Sequence, residues 1–201
     1  MQNKQLFNTF FLKKYVLVAG GIGFIGINLI KELLDLGAKV TATYHKKKPF
    51  IFTNEVNYIP ADLTHKNDCL KACSNQEYVF MCAAKSSGAG VMDKTPLVHL
   101  TPNIIMNSLI LESSYECRVK KLMFISSNTV YPNKDYPMKE TDVDYTLYDK
   151  YFTVGWMKLF SEKMCEMYSK VLKNKLPILI LRPSNLYGPF DKYIWSQSKV
   201  I

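Results

Sequence analysis

Apolar residues along this chain fall in short runs that alternate with longer stretches of helical periodicity. Tyr15-Val16-Leu17-Val18-Ala19 is a compact run rich in β-branched residues, and the apolar positions of Ile27-Asn28-Leu29-Ile30-Lys31-Glu32-Leu33-Leu34 recur at helical spacing. Further strand-like runs lie at 39–44, 56–60, 77–84, 121–127 and 177–183. Helical stretches lie at 66–74, at 102–116 with Ile104, Ile105, Leu109, Ile110 and Leu111 on one side, and at 154–172. Strands separated by helices imply right-handed crossovers and a parallel sheet covered on both faces. The pattern predicts a doubly wound α/β domain, with no internal repeat or low-complexity linker.

Between the first strand and first helix stands Gly20-Gly21-Ile22-Gly23-Phe24-Ile25-Gly26. Gly20 permits a tight turn, Gly23 lets the backbone approach a pyrophosphate, and Gly26 lets helix and strand pack closely. The helix N-terminus adds free N–H groups and the positive end of its dipole. Strand, glycine turn and helix in this order predict a Rossmann-type dinucleotide site at the carboxyl ends of the strands.

Composition narrows the class. The chain has 201 residues, 48% hydrophobic and 21% charged, which suits one globular core. Its apolar runs are too short to span a bilayer, and residues 1–12 read as a lead-in covering one end of the sheet rather than as a signal peptide. Five scattered cysteines predict reduced thiols in a cytoplasmic protein, without disulfide or metal. The net charge of +9 is spread out, its one dense cluster being Lys46-Lys47-Lys48. No nucleic-acid motif accompanies it, and neither a nucleic acid nor a membrane is expected as a partner.

The glycine stretch, with Ala19 before it, resembles the signature of the extended short-chain dehydrogenases, the sugar-nucleotide epimerase/dehydratase family. The resemblance extends over nearly the whole chain, through Asp62-Leu63, Ala83-Ala84-Lys85, Asn103, Ser126-Ser127-Asn128-Thr129-Val130-Tyr131-Pro132 and Arg182-Pro183-Ser184-Asn185-Leu186-Tyr187-Gly188-Pro189. The Ala-Ala-Lys, Tyr-Pro and Asn-Leu-Tyr-Gly-Pro elements look most like the GDP-L-fucose synthase branch. The resemblance implies that Gly20, Gly23, Phe24, Ile25 and Gly26 hold the pyrophosphate while Asp62 and Leu63 meet the adenine. It places Ala83, Ala84, Lys85, Lys158, Pro183 and Asn185 along the rest of the cofactor, a nucleotide sugar as substrate, and leaves open a homodimer through helices.

Family chemistry uses a Ser or Thr that orients the sugar, a Tyr that exchanges a proton, and a Lys four residues later that holds the ribose and lowers the Tyr pKa. Ser127 matches the serine, and Lys158-Leu159-Phe160-Ser161-Glu162 places Lys158 in the lysine role. Val154 stands where the tyrosine belongs, and valine exchanges no proton. Tyr151 is the nearest substitute, provided the helix begins after it and the loop folds back; the alternative is that it merely packs or sits at the surface. Thr129 and Lys199 occupy the positions of a Cys and a His that shuttle protons in GDP-L-fucose synthases. Threonine does not titrate near neutrality, which leaves hydride transfer at C4 as the expected reaction.

An NAD site wants an acid at the end of the second strand. Here Thr43-Tyr44-His45-Lys46-Lys47 offers none, which favours NADP over NAD, with His45 or Lys46 beside the 2′-phosphate. Family members also carry a small C-terminal substrate domain, which residues 13–201 lack or hold only in part. Two functions follow: an NAD(P)-dependent oxidoreductase or epimerase acting on a nucleotide sugar, or a catalytically silent dinucleotide-binding module.

Overall fold

The computed structural model describes residues 9–85, 95 and 97–191. Its strands are β1 (Tyr15–Ala19), β2 (Lys39–Tyr44), β3 (Asn57–Pro60), β4 (Tyr78–Met81), β5 (Lys121–Ile125) and β6 (Ile178–Leu181). They form one sheet in the order β3-β2-β1-β4-β5-β6, and each neighbouring pair is parallel. The helices are α1 (Phe24–Asp35), α2 (Lys66–Cys73), α3 (Leu97–Glu116) and α4 (Phe152–Glu166). The Rossmann-type doubly wound architecture is as expected. Strand order reverses between β1 and β4, and that reversal opens a crevice at the carboxyl ends of both strands.

The pleat sorts each strand between two cores. Val16 and Val18 join Ile30 and Leu33 of α1 on one face. Leu17 and Ala19 point the other way, to a core built with Cys69 and Cys73 of α2, Ile110 and Leu111 of α3, and Cys165 of α4. Strands buried on both faces need near-continuous apolar sequence, which is why β1 showed no polar alternation. The lead-in contributes more than an end cover, since Phe11 packs on Tyr78 and Phe80 of β4, with ring centroids 5.5 and 6.0 Å away.

The five cysteines are free thiols, and burial pushes those of Cys69 and Cys73 up to about 12, which keeps them protonated and unreactive. Two helix boundaries differ from expectation. α3 begins at Leu97 and carries Pro102 inside it rather than at its start. α4 ends at Glu166 and gives way to a π turn at Met167–Val171. No helix among the described residues is long and apolar enough to cross a membrane.

Candidate cofactor and active site

The glycine loop is folded as its sequence requires. Gly20 has φ +84°, and a Cβ there would lie 2.6 Å from the Ala83 Cα of the loop after β4. Thr43 of β2 fixes the turn: its hydroxyl accepts from Gly20 N at 2.8 Å and its carbonyl from Gly21 N at 2.9 Å. A Cβ on Gly26 would strike the Gly20 carbonyl oxygen, whereas one on the exposed Gly23 would meet only that oxygen, at 3.3 Å. Gly23 is also the N-cap of α1, and no side chain caps this end. First-turn amides therefore face an open approach, and this cradle fits a dinucleotide pyrophosphate. Phe24 and Ile25 border a cleft of about 330 Å³ between α1 and the 186–189 loop. Asn28 ties the two sides, donating to Phe24 O and to Pro189 O at 2.9 Å each.

At the corner where the resemblance expects adenine, Asp62 follows β3. Its Oδ1 accepts from the Thr64 hydroxyl at 2.6 Å and the Thr64 amide at 3.0 Å. Its Oδ2 lies 3.7 Å from His45 Nε2 and 3.5 Å from His65 Nδ1. The Thr64 hydroxyl and amide, followed by the two imidazoles, hold the Asp62 carboxyl below its ordinary range. The reading that no acid lies near the end of β2 is thus true of β2 itself, but β3 supplies a carboxylate beside His45. Sequence missed this because the two residues meet only through the β2–β3 pairing. Lys46 is exposed, and the Leu63 side chain is buried in the core, which leaves its backbone for a base.

Beyond β4, Asn103 of α3 clamps the main chain of Lys85. Its Oδ1 accepts from Lys85 N at 2.8 Å, and its Nδ2 donates to Lys85 O at 2.9 Å and His99 O at 2.7 Å. Ala83 and Ala84 are thereby held alongside the glycine loop. After β6, Pro183 O accepts from Asn128 N at 3.1 Å, while Asn185 is exposed.

Ser127 and Lys158 come to the same strand end. Ser127 follows β5 by two residues and its Oγ accepts from Thr129 N at 3.2 Å, while Lys158 Nζ donates to Ile125 O at 2.7 Å. α4 approaches closely because its residue 155 is glycine, where a Cβ would lie 2.6 Å from the Thr129 carbonyl oxygen. α4 does begin after Tyr151, its N-cap, as the substitution requires. Yet Tyr151 turns its ring onto Tyr148 at 5.7 Å and under the Lys150 ammonium at 5.9 Å. Among the described residues its hydroxyl makes no hydrogen bond to Ser127. The Thr129 hydroxyl is buried without a partner among them, and Lys199 lies outside the described residues.

A polar network behind Ser127 was not singled out from sequence. Glu162 of α4, 3% exposed, accepts from Ser126 Oγ at 2.5 Å and forms a fork with Arg182, whose Nε and Nη2 lie 3.0 and 2.8 Å away. The family's Lys-x-x-x-Glu spacing and the Arg-Pro ending of β6 were its only traces.

The chain is 26% identical over 196 residues to a GDP-mannose 3,5-epimerase 1 of Oryza sativa subsp. indica, covering 93% of this chain and 50% of that protein. It is 26% identical over 191 residues to the GDP-L-fucose synthase of Escherichia coli strain K12, covering 94% and 56% respectively. A solved structure of MoeE5 in complex with UDP-glucose and NAD matches with a TM-score of 0.76 and 27% identity, over 89% of this chain and 56% of that one. The chain spans about half the length of these relatives. Residues 16–201 match the model of the NAD dependent epimerase/dehydratase family, and the chain belongs to that family.

Proposed function

We propose that this protein is an NAD(P)-dependent enzyme that acts on a nucleotide-activated sugar by hydride transfer at C4. The observation that carries this reading is the convergence of Ser127 and Lys158 on the carboxyl end of β5, at the same end of the parallel sheet as the uncapped α1 and the open glycine cradle. A bound nicotinamide supplies the hydride. Ser127 orients the reacting hydroxyl or carbonyl, and Lys158 exchanges its bond to Ile125 O for the nicotinamide ribose. Tyr151 is the residue proposed to exchange the proton, a role that requires its ring to leave Tyr148. At the adenine end His45 and Lys46 receive a 2′-phosphate, which favours NADP over NAD, while the Asp62 carboxylate 3.7 Å from His45 pulls the other way, toward a ribose hydroxyl.

The exposed stripe Phe152, Trp156 and Phe160 on α4, with Leu97 and Ile105 on α3, supports a homodimer through these helices. The alternative is a catalytically silent dinucleotide-binding module, favoured by Val154 in the tyrosine position and by the orientation of Tyr151. Mass spectrometry of the cofactor and nucleotide sugar that copurify tests the binding partners. Absorbance of the nicotinamide during incubation with that sugar then separates the two readings. A bound dinucleotide that no nucleotide sugar reduces or oxidises refutes the enzyme and leaves the module.

A further inference from the structure

The network behind Ser127 joins four separate pieces of chain. Glu162 reaches the end of β5 through Ser126 Oγ, and the end of β6 through the two-pronged bond from Arg182. The remaining Arg182 nitrogen, Nη1, donates to Tyr131 Oη at 3.2 Å and to Glu140 O at 2.9 Å. The guanidinium also lies 5.1 Å from the centre of the Tyr131 ring. Backbone bonds extend the β5–β6 pairing past the strands, from Ser126 N to Leu181 O at 2.7 Å and from Asn128 N to Pro183 O at 3.1 Å. Ser127 sits inside this frame, between a residue held by Glu162 and one held by Pro183.

We propose that Glu162 and Arg182 are positioning residues that set two walls of the active site separately. Glu162 fixes the rotation of Ser127 through its neighbour Ser126, and Arg182 fixes the 131–140 segment through Tyr131 and Glu140. This rests on the reading of Ser127 as the group that orients substrate. A buried ion pair roughly breaks even with an apolar pair in stability, so holding the core together does not account for this one. A guanidinium fork, by contrast, restricts both direction and distance, as a lysine or a leucine does not. The directions of its bonds match a positioning task. They lead through Glu162 to Ser126, through Nη1 to Tyr131, and on to Glu140, and both partners are largely buried, with side-chain exposures of 18% for Arg182 and 5% for Glu162.

The two walls separate in kinetics. Glu162→Gln keeps the side-chain shape but aims a donor at the guanidinium, and is expected to lower kcat about tenfold or more with the KM for nucleotide sugar little changed. Arg182→Lys keeps the charge but loses the fork, and is expected to raise that KM by about tenfold with a smaller change in kcat. Tyr131→Phe, which removes one acceptor of Arg182 and keeps the ring, should follow Arg182→Lys in weaker form. Dinucleotide affinity stays within about twofold in all three, because the glycine cradle is untouched. Parallel losses in kcat, KM and dinucleotide affinity, or no change in any of them, overturn the proposal.

Amide hydrogen exchange on the intact chain gives a readout that needs no activity. Residues 127–131 should exchange faster in Glu162→Gln and residues 139–142 faster in Arg182→Lys, by about tenfold beyond any acceleration of residues 16–30, which reports the global cost of breaking a buried pair. Uniform acceleration or none overturns the clamp. A wild-type chain that binds dinucleotide but turns over no sugar would instead refute the enzyme reading, and exchange would still decide whether the clamp exists.

Discussion

The Lys158 ammonium donates a 2.7 Å hydrogen bond to the Ile125 carbonyl, two residues before Ser127. One bond thus holds a helix cation against the strand that delivers the serine, and Lys158 is expected to serve both architecture and chemistry. Lys158→Met should remove a charged donor worth about 1.5 kcal/mol and lower turnover about 100-fold. Chemical denaturation and steady-state kinetics check the two effects separately.

The glycines of the loop divide into those that fold it and one that leaves room for a ligand. Gly26→Ala drives a methyl group into the Gly20 carbonyl and should cost about 1–3 kcal/mol of stability. Gly23→Val brings its Cβ 3.3 Å from the Gly20 carbonyl oxygen and replaces the N-cap of α1, which should cost about 1 kcal/mol of stability, while NAD(H) and NADP(H) affinity falls by orders of magnitude. Calorimetric titration of the folded variant tests this. Unchanged affinity would remove the loop from the binding site.

Asp62 should make stability depend on acid pH. Its carboxyl is held low first by Thr64 and then by His45 and His65. A depressed folded pKa stabilises the fold above the ordinary aspartate value, and that contribution is lost as pH falls through the folded pKa. Thr64→Val removes the largest of these causes. The Asp62 carboxyl should then titrate closer to the ordinary aspartate value of 3.8, and the variant should be less stable than wild type at neutral pH but not in strong acid. Carbon-detected NMR titration of Asp62 is the direct measurement.

Lys46 stands exposed beyond β2, next to the His45–Asp62 pair. Lys46→Glu should erase or reverse a preference for NADP(H), because a second carboxylate there repels a 2′-phosphate. A native preference for NAD(H) would instead assign the corner to Asp62.

Tyr151 has its ring packed on Tyr148 and is 38% exposed. If it supplies the proton, Tyr151→Phe should lower turnover at least about 100-fold with unaltered cofactor affinity. Val154→Tyr places the family's phenol four residues before Lys158 and should restore activity to that variant. Full activity in Tyr151→Phe would exclude Tyr151 from the chemistry.

Much of this was legible where neighbours in sequence are also neighbours in space. β1 and β2 read correctly because apolar runs bounded by glycine, lysine and turn residues leave little choice of boundary. The glycine loop did so because each glycine answers to a contact within the same turn or the adjacent strand. Pro102 misled because proline favours the first turn of a helix. Here the helix starts five residues earlier, and His99 and Asn103 on its first turns are committed to the Lys85 loop. The His45–Asp62 and Glu162–Arg182 pairs escaped for the opposite reason. Sequence reads each residue by itself, Asp62 and His45 as cofactor contacts and Glu162 and Arg182 within motifs, and only the fold brings each to its partner.

The same strand order governs how the chain assembles. β1 lies at the centre of the sheet, yet its partner on one side, β4, arrives only after β2 and β3: the Tyr15–Glu77 contact that begins this pairing spans 62 residues. Loop closure over such a distance makes a parallel sheet slow to nucleate. During synthesis, the β1–β2–β3 half emerges with the apolar edge of β1 unpaired. The glycine cradle acquires its Ala83 wall only when that edge is filled. Competence to hold a dinucleotide in this cradle is therefore expected only once β4 has joined β1, and a ligand that binds there would select chains in which the two halves have already met.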